Sequence, residues 1–122
     1  MSYKIAVASS DGKVVNQHFG RATQFLIFEI HAGDFKFLEL LYANPFCNHG
    51  EHDDSKLSNA VDALTGCRAV LISQIGNGAA QALRSRGIDV FDIHTFIYDA
   101  LRKLINYYEK NETKRATPSK NV

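Results

Sequence analysis

The chain is 122 residues long, 45% hydrophobic and 22% charged, with a formal net charge of +1. That length suits one domain with one core, and the composition excludes collagen-like and largely disordered chains. A charge so near balance offers no global positive field to gather nucleic acid or an anionic membrane, so neither is expected as a partner.

Tyr3 to Ser9 alternates, is rich in Ile and Val, and reads as a first strand; it begins at once, with no basic leader ahead of it. No run approaches the length of a membrane span, and the two cysteines, Cys47 and Cys67, form neither a disulfide framework nor a zinc-ribbon spacing. The expectation is a cytoplasmic protein in a reducing compartment. Ser10 to Arg21, containing DGKVVNQHFG (11 to 20), is a long polar loop punctuated by Gly12 and Gly20, and loops of that length tend to carry function. Gln24–His31 and Phe35–Ala43 are two β-rich runs joined by Ala32-Gly33-Asp34, which predicts a hairpin. Asn44 to Asp53 is a second polar loop. Asp54 or Ser55 can cap a helix whose Leu57, Ala60, Val61 and Leu64 fall on one face, ended by Gly66. Arg68–Ser73 is a continuous apolar strand, Gln74–Gly78 a Gly-rich turn, Ala79–Arg86 a short helix stopped by Gly87, and Ile88–Ile93 a fifth strand. From Thr95 as N-cap, the apolar stripe of Ile97, Ala100, Leu101, Leu104, Ile105 and Tyr108 marks a last amphipathic helix.

The order βββαβαβα gives an antiparallel meander followed by two right-handed crossovers, hence an α/β fold with a mixed five-stranded sheet and flanking helices. Residues 1–109 are expected to form the domain and 110–122 a flexible tail. In such a sheet the loops starting at residues 10, 44 and 74 leave the same edge, the edge where α/β folds bind ligands.

The densest group of metal-capable side chains is Cys47-Asn48-His49-Gly50-Glu51-His52-Asp53-Asp54. Thiolate and imidazole suit zinc, copper(I) and iron–sulfur centres. The plainer alternative is a solvated polar loop with one exposed thiol, which spacing alone slightly favours. His18 ends the first loop beside Phe19 and Gly20; taken singly it reads as a hydrogen-bonded structural residue, and its weight rises if the loops meet. Asn77 and Gly78 open a helix whose free N–H groups favour an anion, although the turn matches no phosphate-loop spacing. Cys67 reads as a small buried hydrophobe, and His31 and His94 as structural residues. No converging carboxylates, no G-x-S-x-G elbow and no fixed Cys/His pair argue for catalysis.

Taken together and in this order, IAVASSDGKVVNQHFGRATQFLIFEI and CRAVLISQIGNGAAQALRSRGIDVFDI resemble the dinitrogenase iron-molybdenum cofactor binding family, over roughly residues 3 to 105. The family includes NifX, NafY and the C-terminal domain of NifB. The resemblance implies a ribonuclease H-like fold without nuclease activity. It further implies binding of an iron–sulfur cluster or an iron-molybdenum cofactor precursor, nitrogenase or cofactor-assembly proteins as partners, and His18 as the motif histidine that contacts the cargo. Cys47, His49 and His52 stand in a loop that varies within that family. The radical-enzyme motif Cys-x-x-x-Cys-x-x-Cys is absent from this sequence, which removes cluster synthesis from the expectation.

The leading expectation is therefore a non-catalytic carrier of such a cluster, with His18 and Cys47 as main contacts, His49 and His52 as helpers, and Asn77 and Gly78 offering N–H groups. Sparse ligation suits a cargo that must leave, because a preassembled cluster brings its own sulfides. The alternatives are a metal-free interaction or regulatory module on the same fold, and a zinc site of Cys47, His49 and His52 with Asp53 or His18. The oligomeric state is left open by the sequence.

Overall fold

A computed structural model of the chain describes residues 2–42, 47–48, 51–52 and 54–116, with side chains described for 2–42 and 57–111. The strands in chain order are β1 (Ser2–Ala8), β2 (Gln24–His31), β3 (Asp34–Tyr42), β4 (Cys47–Asn48), β5 (Glu51–His52), β6 (Ala69–Ile72) and β7 (Asp89–Asp92). Five of them form one mixed sheet in the order β3-β2-β1-β6-β7. β1 pairs antiparallel with β2 and β2 with β3, whereas β1–β6 and β6–β7 are parallel. Among the described residues three helices complete the fold: α1 (Asp54–Ala63), α2 (Asn77–Ser85) and α3 (Ile97–Ala116). No helix among the described residues is long and apolar enough to cross a membrane.

The alternation of β1 explains the layering. Ala6 and Ala8 point to one side, where they join Ala60 and Val61 of α1, Leu64 just past it, and Ala79 and Leu83 of α2; Ile5 and Val7 point to the other, against Ile97, Ala100, Leu101, Leu104 and Ile105 of α3. The central strands β1 and β6 are covered on both faces, which is why they are short continuous apolar runs. At about 25 cal/mol per Å² of apolar surface removed from water, these two clusters dominate the stability of the domain.

The β2–β3 hairpin turns through Ala32 and Gly33, both with positive φ (54° and 78°), the geometry that matches strand twist in a two-residue connection; Asp34 already pairs with His31. A Cβ at Gly33 would lie 3.0 Å from Glu109 Oε2, so the turn is packed closely against α3. Arg102 Nη1 donates to the Gly33 carbonyl at 3.0 Å and its Nη2 meets Asp34 Oδ1 at 2.8 Å.

Three boundaries differ from the sequence reading. The second polar loop contains a small hairpin, in which β4 pairs antiparallel with β5. α3 starts after Phe96, whose carbonyl accepts the Ala100 N–H, while the carbonyl of Thr95, the expected cap, is taken by the Val15 N–H at 2.9 Å. α3 also runs through Ala116 into the stretch expected to be a tail, because helix propagation needs only one new backbone bond per residue. Residues 117–122 lie outside the described residues.

Candidate functional site

The C-terminal ends of β1 and β6 carry the loop of residues 9–18 and the turn of residues 73–76, and the two are bonded together. The Ser73 N–H donates to the Gln17 carbonyl at 3.1 Å and the Phe19 N–H to the Gln74 carbonyl at 2.9 Å, making a parallel bridge between His18 and Gln74. His18 is exposed, so its ring is displayed where the chain crosses the sheet edge.

Two apolar anchors set that crossing. Val15 is fully buried in the α3-side core and Phe19, 2% exposed, in the core on the α1 and α2 side, with its ring 5.7 Å from that of Phe25. Asn16, Gln17 and His18 therefore span the top of the sheet from one hydrophobic layer to the other. Further backbone bonds fix the span: Asn16 N–H to the Ala8 carbonyl (3.3 Å) and Ile97 N–H to the Lys13 carbonyl (2.8 Å). Phe19 opens a single 3-10 turn, Phe19–Arg21, closed by the Arg21 N–H on the His18 carbonyl at 3.1 Å.

The stretch Ala-Ser-Ser-Asp-Gly proves to be the hydrogen-bonded turn that fixes this loop. Ser9, fully buried, accepts the Gly12 N–H at its Oγ (3.0 Å) and donates its hydroxyl to Asp11 Oδ1 (3.1 Å). Asp11 Oδ1 in turn accepts the N–H groups of Lys13 (2.8 Å) and Val14 (3.1 Å), a side-chain turn of the kind Asp favours. These backbone donors, Lys13 first, hold the Asp11 carboxyl below its ordinary range. Asn16 bonds Ser10 through both ends of its amide, and Gln24 Nε2 donates to the Ser9 carbonyl at 2.9 Å. Sequence reasoning named none of Ser9, Asp11, Asn16 and Gln74 as site-building residues. The Ser/Asx turn signal in the first three was available; Gln74 acts through its main chain and leaves no side-chain signature.

The other expected contacts are placed as follows. Asn77 and Gly78 are exposed at the start of α2, three residues after Gln74, and the preceding Gly76 gives the helix no side-chain cap. A Cβ at Gly76 or Gly78 would meet nothing within 4 Å among the described residues, so this turn faces open space. The backbone of β4, which carries Cys47, lies against the Phe19–Arg21 turn with Cα atoms within 8 Å. Cys47 and His52 are opposed in the β4–β5 register. His49 and Asp53 lie outside the described residues. Cys67 is buried at 8% exposure, and desolvation pushes its thiol up from the ordinary range, so it stays an inert core residue. His31 and His94 are exposed at strand ends. Among the described residues no group of three or more His, Cys, Asp or Glu stands together as a metal site, and zinc gains no support.

Residues 1–107 match the family described as dinitrogenase iron-molybdenum cofactor. The chain belongs to that family. It is 36% identical over 103 residues to the FeMo cofactor biosynthesis protein NifB of Frankia alni, a match spanning 82% of this chain and 20% of that one. It is 33% identical over 85 residues to the protein NifX of Azotobacter vinelandii, spanning 70% of this chain and 52% of that one. Among solved structures it resembles PH0822 at 31% identity and a TM-score of 0.63, covering 84% of this chain and 88% of the other. The first of these relatives is thus a longer protein, of which this family domain is about a fifth.

Proposed function

We propose that this member of the dinitrogenase iron-molybdenum cofactor family is a non-catalytic carrier. Its cargo is the iron-molybdenum cofactor or an iron–sulfur precursor of it. His18 and Cys47 are the main contacts, with His49 and His52 as helpers, and the Asn77–Gly78 turn offers N–H groups to the cargo. One observation carries the reading: the loop that ends in His18 is bonded to the turn that opens α2, and β4 packs on the 3-10 turn that follows His18. Three loops distant in sequence thereby share one rim.

The chemistry of that rim fits an anionic, exchangeable cluster. With Cys67 buried, Cys47 is the single thiolate the chain can offer, far short of the four that fix a common iron–sulfur cluster. One thiolate and one imidazole can hold a preassembled cluster without trapping it. The exposed Arg21 and the uncapped start of α2 add positive potential on the same edge. The names borne by NifB and NifX relatives support the choice of cargo, and with it nitrogenase or cofactor-assembly proteins as partners in a reducing cytoplasm. We also read the sheet order, with β2 alone running against its neighbours, as a ribonuclease H-like topology.

The test is anaerobic titration with the iron-molybdenum cofactor, followed by absorbance and gel filtration. Wild type is expected to retain the chromophore, and a His18→Ala, Cys47→Ala double variant to bind at least about tenfold more weakly with unchanged far-ultraviolet circular dichroism. Equal binding by the two proteins overturns the site assignment.

A further inference from the structure

The end of the sheet opposite β7 is left open. β3 is terminal in the strand order, so the outer row of its backbone N–H and C=O groups has no strand partner among the described residues. Its nine residues are mostly exposed, including large apolar ones: Phe37 (51%), Leu38 (40%), Leu40 (39%) and Tyr42 (81%). At roughly 200 Å² per aromatic ring this is on the order of 400 Å² of apolar surface. That is about half of the ~800 Å² each partner buries in a stable interface, before backbone and neighbouring side chains are counted. It is also a long edge that carries a bulge and exposed charges, features that ordinarily discourage edge pairing, so a partner has to satisfy both.

The register of β3 indicates what would cover it. Phe28 pairs with Phe37 and Ile27 with Glu39, so Leu38 is an extra residue, a bulge, in the middle of the strand. On the α3 side of the sheet stand Phe35 and Phe37 before the bulge and Leu40 and Tyr42 after it; on the α1 side stand Lys36 before it and Glu39 and Leu41 after it, while Asp34, in register with that second set, turns its carboxylate to Arg102 of α3. Without the bulge, an antiparallel two-fold pairing of β3 with itself would have to oppose residues of like parity. With it, both faces stay in step when Lys36 lies opposite the partner's Glu39, Phe35 opposite the partner's Leu40 and Asp34 opposite the partner's Leu41. Each of these pairs occurs twice by symmetry.

The charges agree with that register. Lys36 already reaches Glu29 at 3.5 Å on the inner side, and Glu39 is exposed with no ion pair among the described residues. The pairing sets Lys36 between two carboxylates and leaves no like charges opposed, a condition that cross-strand pairs reward.

We infer that β3 is a self-association edge, at which a second copy of this chain pairs antiparallel through Lys36 and the partner's Glu39, fusing two sheets into one. The rims that carry His18 then point in opposite directions and both stay open.

Sedimentation velocity of the 122-residue chain over a range of concentrations tests this. Wild type is expected to dimerise, Lys36→Glu and Glu39→Lys each to raise the dissociation constant at least about tenfold, and an equimolar mixture of the two variants to recover dimer. In the mixed dimer both cross-strand pairs join opposite charges again, with their signs reversed in one pair. A wild type that stays monomeric at all concentrations, with the edge then left to another partner, overturns the inference. So does a dimer indifferent to either reversal, or a mixture no tighter than its components.

Discussion

Asp11 shows how a loop can be rigid without being buried. Its carboxylate is open to solvent, yet one oxygen gathers the Lys13 and Val14 N–H groups and the Ser9 hydroxyl. The donors stabilise the charged form and depress its pKa. A depressed carboxylate contributes its share of order above the unfolded value, about 3.9, and that share is lost as pH falls through the lower folded value. Amide shifts of Lys13 and Val14 followed down the acid limb are therefore expected to move only below the ordinary carboxylate range. An inflection above the ordinary Asp range would show that the carboxylate does not hold the turn. His18, two residues past Asn16, inherits its position from this turn and makes no side-chain bond of its own in the cap of the 3-10 turn that follows it.

At the scale of elements, the crossing segment depends on Val15 and Phe19 as anchors in opposite layers. Phe19→Ala removes a ring that is 2% exposed and leaves a cavity beside Phe25, a change that typically costs about 3–5 kcal/mol. Urea unfolding is expected to show a loss of that size, and hydrogen exchange to accelerate at the Ser73 and Phe19-position amides that bond the two loops. A loss under about 1 kcal/mol would mean that the backbone bridge holds the loop unaided. The strands, the helix faces and the shared edge of the loops were legible in the sequence: the strands as β-rich apolar runs bounded by turn residues, the helices as the 3.6-residue stripes of α1 and α3, and the shared edge from the topology these elements imply. The two-residue strands β4 and β5 are too short to leave a pattern. The cap of α3 moved by one residue because a tertiary bond from Val15 claims the Thr95 carbonyl. The polar end of α3 lacks any apolar stripe after Tyr108 and so resembled a tail, yet its backbone continues the helix to Ala116.

The molecule as a whole has two distinct ends. At one, His18, Gln74 and the opening of α2 are joined by backbone bonds, with β4 alongside. At the other, Arg68 stacks on Tyr108 at 3.7 Å and the Ala32–Gly33 turn is tied to α3 by Arg102. The first end exposes His18, Asn77 and Gly78, and the proposed pairing at β3 leaves it uncovered. The sequence pointed to His18 through a family motif and to Cys47 through ligand chemistry. Topology already set both loops on one edge; the contacts that hold them there run through the main chain of Phe19–Arg21, Gln74 and β4 and leave no side-chain signature. If one paramagnetic cluster sits on that rim, nuclear magnetic resonance of the isotope-labelled chain resolves its place directly. Anaerobic addition of one equivalent of the iron-molybdenum cofactor is expected to broaden the amides of residues 16–21 and 74–78 and to spare those of Ala32, Gly33 and Arg68. Broadening centred on the opposite end, or spread evenly over the sheet, would contradict a cargo site at the rim.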